Sequence, residues 1–258
     1  MKVLDHGYVN LIGTLGTEES IIEAARQSTG GSFRGWDSDA RLLEYLYKHR
    51  HSTPFEMCEL VVDVQAPIFV VREWQRHRTF SFNELSGRYV EMPPVYYAPG
   101  KGRMVRQATG NKQSSSSEAL RLDIAEKMER DLFREQDAAD AAYRDRLDHG
   151  LVREVARVNL PLSVYTRMRV KGNLRNWLHF LGLRLADNAQ WEIRQYAEAI
   201  AAMVAEHWPR TWELFEEYDR YAVRLSRTEA KAWNEWKQSQ ASQTQTGSVP
   251  EPSSTSTS

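Results

Sequence analysis

The sequence predicts an α+β fold: a small, mostly antiparallel sheet packed with several helices. Three observations carry this. Two segments alternate apolar and polar residues with a period of two, several more place apolar residues at helical spacing, and the order lacks the regular strand–helix alternation of a doubly wound sheet. The chain has 258 residues, of which 41% are hydrophobic, enough for one substantial core. Its 34 Lys and Arg against 35 Asp and Glu leave a net charge of −1, so the global field offers no pull toward nucleic acid or anionic lipid. Any anion site must be local.

Thr17, followed by Glu18 and Glu19, starts a helix that runs to about Gln27, with acids in the first turn where the helix dipole favours them. Asp37 or Ser38 caps a second helix, with Leu42, Leu43 and Leu46 on its buried side. Leu60, Val62, Val64 and Ala66 alternate with Glu59, Val61, Asp63 and Gln65, which predicts a half-buried strand. Pro67 ends that strand and suits the first turn of a helix carrying Ile68, Phe69, Val71 and Trp74. From Pro93 to Ser117 the Pro-Pro, Pro-Gly and Ser-rich composition predicts an irregular stretch, either a mobile surface loop or a lid.

Ser115 and Glu118 have capping-box spacing and predict a long helix from there to near Gly150. After a short helix and Pro161, the residues Leu162, Val164, Thr166, Met168 and Val170 alternate with polar or charged ones in the clearest strand of the chain. Gly172-Asn173 turns into a helix whose Leu174, Trp177, Leu178, Leu181 and Leu185 share a face. Two more helices follow, split near Pro209. From about Gln238 to Ser258 the chain is Ser, Thr, Gln and Pro with little to bury, so 1–237 is expected as one domain and 238–258 as a disordered tail. The N-terminus has no long apolar stretch after its lysine, so no secretory signal is expected, and a cytoplasmic protein without membrane association is the default.

The densest polar cluster is Arg76 to Tyr89, RHRTFSFNELSGRY, with Arg72 and Glu73 just upstream. Its arginines offer forked donors for phosphate, and Ser81, Asn83, Glu84 and Ser86 offer partners for a sugar or base. Gly87 permits close approach of backbone amides to an anion. A solvated charged turn making surface ion pairs is an equally good account from residue types alone. Arg157 sits at a helix end and is accounted for by capping that helix, while Thr53 fits a turn. Asn173, Arg175, His179 and Arg184 lie on and around one helix, but His179 and Arg184, five apart, share no narrow face, and as a site within one chain the set looks incomplete. The single cysteine, Cys58, excludes an intramolecular disulfide and a thiolate metal cluster and reads as a small buried residue. There is no HExxH, Walker-type loop or GxGxxG, and no metal site is expected.

Arg76 to Tyr89 resembles the signature of the flavin-dependent thymidylate synthases, RHRxxSxNExSxRY, at every fixed position. The likeness continues through STPFE at Ser52 to Glu56, NKQ at Asn111 to Gln113, Ala156 to Pro161, and NLRNWLHFLGLR at Asn173 to Arg184. What it implies is a homotetramer, with sites shared between subunits, that binds FAD, dUMP, methylene-tetrahydrofolate and NADPH and makes dTMP. The resemblance puts Glu73, Trp74, Gln75, Arg76, Glu84, Leu85, Ser86, Gly87, Arg88, Arg157 and Arg184 on the nucleotide. It puts Thr53, Arg76, His77, Arg78, Glu84, Asn173, Arg175 and His179 on the flavin, with His51 near flavin and folate. Arg184 is the residue implied to polarise the uracil, favour loss of its N3 proton and so replace a cysteine nucleophile. Many relatives carry Gln at the position of Glu73 and Asn at that of His179. The rival readings are an Arg-rich nucleic-acid-binding module and a flavoprotein of this fold without methyl transfer.

Overall fold

In the computed structural model, which describes residues 1–110 and 115–245, the segment around Leu60 is the middle of the main sheet. Strands β1 (Lys2–Val3), β2 (Gly7–Leu15), β3 (Glu59–Pro67), β4 (Ser81–Glu84) and β7 (Tyr165–Asn173) form one antiparallel sheet in the order β1-β2-β3-β7-β4. Along β3 the side chains of Leu60, Val62, Val64 and Ala66 are fully buried, as the alternation predicts. On β7 Val170 and Met168 take the same inward positions opposite Val62 and Val64. Each large aliphatic side chain removed from water here contributes about 1.5–3 kcal/mol before ordering entropy is subtracted.

The helices cover the buried face. They are α1 (Glu18–Arg26), α2 (Trp36–Lys48), α3 (Ile68–Trp74), α6 (Leu174–Arg184), α7 (Trp191–His207) and α8 (Pro209–Phe215). Thr17 caps α1 as expected, its backbone N–H donating to Ser20 Oγ at 3.1 Å. The second helix begins at Trp36, after Gly35, slightly earlier than the Asp37 or Ser38 cap the sequence predicts. Asp39 is instead fully buried and holds Arg26 and the Arg34 backbone amide. In α3 the buried residues are Val70, Val71 and Trp74, with Ile68 and Phe69 half-buried. Pro209 divides α7 from α8 as predicted.

The stretch from Pro93 is anchored through most of its described length. Tyr96 bridges to Val164, the Tyr97 backbone N–H donates to Ser163, and Met92, Tyr97 and Met104 are buried. Strand β5 (Val105–Gln107) then pairs with β6 (Ser115–Ala119). This overturns the predicted capping box: Ser115 and Glu118 lie in a strand, and the long helix α4 (Leu122–Asp148) starts later, after Arg121. The Ser-x-x-Glu pattern is locally sound, but here the Glu118 N–H donates to Ser116 Oγ at 3.1 Å and the strand pairs with β5 at Ser115 and Ala119. Residues 111–114, with the NKQ motif and Ser114, lie outside the described residues.

After α4 the chain makes α5 (Arg153–Ala156) and a 3-10 turn at Arg157–Asn159. The first compact unit spans Met1–Arg220 and the second Tyr221–Ser258. Within the second, helix α9 (Arg227–Gln245) runs past the Gln238 boundary that composition predicts, and its Trp233 and Trp236 rings stack at 4.9 Å. The remainder of the expected tail, 246–258, is outside the described residues. Among the described residues no helix is long and apolar enough to cross a membrane.

Candidate active site

The signature segment leaves α3 at Trp74 and returns to the sheet as β4. Trp74 is fully buried, its ring stacked on Phe180 at 5.0 Å and edge-on to Trp177 and Tyr196. Its side chain therefore fastens the segment to the core, which leaves its backbone for the contact the resemblance implies. The Trp74 carbonyl accepts the His77 N–H at 2.9 Å, which turns the chain back over α6.

His77 sits buried against Phe180 at 4.9 Å between ring centroids. Burial, then the Arg184 guanidinium and His179, push its pKa from 6.5 down to about 4, so it is neutral at neutral pH. Arg184, the last residue of α6, donates from Nε to His77 Nε2 at 3.0 Å, a bond that needs an unprotonated Nε2. Its Nη1 donates to Glu73 Oε2 at 2.9 Å and its Nη2 to the Glu73 carbonyl at 3.3 Å. The His179 ring lies 6.1 Å from that of His77. Thus His77 joins Arg184 and His179, which share no face of their own helix.

A second group gathers where β4 ends. Leu85 N–H donates to the Arg167 carbonyl at 2.8 Å, and the amides of Arg88 and Tyr89 turn back to Ser86. Gly87 is buried, and a Cβ there would stand 2.9 Å from Met92 Sδ and 3.1 and 3.2 Å from Arg157 Cδ and Nη1. Gly87 and Arg157 are therefore brought side by side, and a capping role alone does not account for Arg157. Arg88 is exposed and pairs with Glu154 of α5 at 3.1 Å, a partner the sequence did not mark. Gln75 Nε2 donates to Glu84 Oε2 at 3.3 Å.

The third group lies around the 3-10 turn Thr53–Met57. His51, Thr53, Pro54 and Met57, with Ala24, Ala25 and Leu46, line an open cavity of about 270 Å³. The Tyr45 ring stacks on His51 at 5.7 Å. Arg175 Nη1 lies 3.5 Å from Glu56 Oε1, fastening α6 beside this turn. Asn173 Oδ1 accepts the Asn176 N–H at 2.9 Å, so it caps α6, which follows β7 without a loop. Arg76 and Arg78 are exposed and make no ion pair among the described residues. No hydrogen bond or ion pair among the described residues links the Thr53 cavity to the Arg88–Arg157 group.

Residues 10–210 match the family model Thy1, the thymidylate synthase complementing protein. The chain belongs to the Thy1 family. The matched span takes in every candidate site residue described above, from His51 to Arg184. The Thy1 chain is 47% identical over 237 residues to a flavin-dependent thymidylate synthase of Thermus thermophilus, covering 90% of this chain and 84% of that one. It is 39% identical over 227 residues to the enzyme of the same description from Wolbachia pipientis, covering 88% and 80%. Among solved structures it resembles the UMP/dUMP methylase PolB from Streptomyces cacaoi bound with 5-Br dUMP, at a TM-score of 0.77 and 32% identity, over 86% of this chain and all of that one.

Proposed function

We propose that the chain catalyses the flavin-dependent reductive methylation of dUMP to dTMP, with methylene-tetrahydrofolate as one-carbon donor and NADPH as reductant. The observation that carries this reading is the fixing of Arg184 by His77 and Glu73 beside a family signature, in a chain whose one thiol is inert. Cys58 is fully buried, its Sγ lies 3.3 Å from the Thr17 carbonyl, and burial pushes its pKa up to about 12. It stays protonated, so attack of a thiolate on the pyrimidine is not on offer. A guanidinium keeps its charge at any working pH and favours an electron-rich uracil anion placed against it. Arg184, located by its bonds to His77 Nε2 and the Glu73 carbonyl, meets that need without reorganising at the moment of reaction.

The donor set also suits a flavin dinucleotide. Exposed Arg76, Arg78 and Arg175 suit its pyrophosphate, and the cavity beside Thr53 and His51 offers an aromatic and apolar wall to a planar ring. A bound flavin would supply the hydride chemistry that side chains lack. On this reading Ser86, Gly87, Arg88 and Arg157 hold the nucleotide phosphate, while Glu84 and Gln75 orient the sugar or base.

The exposed Val152, Val155, Val158 and Leu162 flanking Arg157 support a homotetramer in which neighbouring subunits complete each site. The test is an absorbance spectrum of the purified protein followed by an assay for dTMP from dUMP, methylene-tetrahydrofolate and NADPH. A yellow protein whose flavin bleaches with NADPH and which forms dTMP is expected. A colourless protein that takes up no FAD and makes no dTMP overturns the reading.

A further inference from the structure

We propose that Glu73 is a positioning residue whose carboxylate occupies the Nη edge of Arg184 and is displaced from it by the pyrimidine nucleotide. The inference rests on the reading of Arg184 as the group that polarises the uracil. Arg184 has five N–H donors, of which three are engaged. Two of those three bonds go to neutral acceptors, His77 Nε2 and the Glu73 carbonyl, and these locate the guanidinium whether or not the carboxylate is present. The Glu73 backbone is fixed in turn by α3 and the buried Trp74 next to it.

The carboxylate is placed differently. Glu73 is the more exposed partner, 36% against 18% for Arg184, and among the described residues it makes only the one ion pair, through Oε2. It can swing toward solvent without moving its backbone. While it stays, it offsets the positive charge that a uracil anion needs. A nucleotide whose carbonyl or ring anion takes over Nη1 releases Glu73 and gains the full guanidinium. A ligand without such an acceptor has to leave the pair intact, so the exchange adds selectivity as well as position.

Calorimetric titration of the FAD-loaded full-length protein with dUMP tests this, together with steady-state kinetics. Glu73→Gln keeps the shape and an acceptor oxygen but removes the competing charge. It should bind dUMP about three- to tenfold more tightly and lower KM by a similar factor, with kcat changed less than about threefold, as befits a half-exposed pair. Glu73→Ala, which also removes the charge, should tighten dUMP binding in the same direction. Equal or weaker dUMP binding by a folded Glu73→Gln protein overturns the inference. Unfolding or loss of FAD in both Glu73→Gln and Glu73→Ala also overturns it, because the carboxylate would then be structural. If the wild-type protein itself fails to bind dUMP, the functional reading fails, and the displacement fails with it; a wild type that binds dUMP separates the two.

Discussion

Gly172→Ala is expected to loosen the signature segment from a position in the middle of a strand. Gly172 lies in β7 opposite Leu60, and a Cβ there would stand 2.2 and 2.3 Å from Cδ1 and Cε1 of Phe80 and 3.3 Å from Trp177 Nε1. Carbon atoms rest at roughly 3.5 Å or more, so the Phe80 ring must retreat by about 1.3 Å. It has little room, being buried and packed on Trp177 with ring centroids 4.4 Å apart. Overpacking of this kind costs about 1–3 kcal/mol, and loss of part of the ring's burial places this site in the upper half of that range. At about 2–4 °C per kcal/mol for a domain this large, a cost of about 2–3 kcal/mol lowers Tm by about 4–12 °C. Thermal unfolding followed by circular dichroism measures it. The paired variant Gly172→Ala/Phe80→Ala should show strong coupling, because the second change removes the ring the first collides with. A Gly172→Ala protein that melts with wild type, or two changes that simply add, would refute the packing argument.

Three other outcomes follow from the site. His77 titrates at about 4 in the folded chain against 6.5 normally, so from pH 6.5 down to about 4 the unfolded state takes up a proton the folded state refuses. The stability His77 contributes is complete above 6.5 and falls away below it, by up to about 3 kcal/mol; urea melts of wild type and His77→Gln should converge as pH drops through that window, and parallel curves would contradict it. Arg184→Ala should keep FAD but lose dTMP formation by at least about a hundredfold, as removal of a charge-stabilising donor does, and near-normal turnover would remove Arg184 from the mechanism. Cys58→Ser should remain active with a modest drop in Tm, since the thiol is inert; a folded variant without activity would bring thiolate chemistry back.

Periodicity made the sheet centre legible, because β3 and β7 each bury one face and their alternation survives in the letters. It failed at β2, where a register shift between Leu11 and Gly13 spoils the alternation and leaves Leu11, Ile12 and Leu15 exposed. It failed at β4 too, since Ser81–Glu84 is a strand only through its pairing with residues 168–171 of β7. At the candidate site, the motif named the residue types and the arginines of the proposed function. It gave no sign that Phe80 fills the space over Gly172.

The sequence by itself determined which groups are present: a cluster of permanent cations, one cysteine, and a signature specific enough to place the chain in its family. Tertiary structure alone decided which of these meet. Arg184 stands 107 positions from His77 and 111 from Glu73, and their three hydrogen bonds exist because Trp74 and Phe180 stack and draw α3 against α6. Periodic patterns record what each segment buries, whereas a hydrogen bond between distant side chains depends on where whole elements come to rest, and no local pattern encodes that.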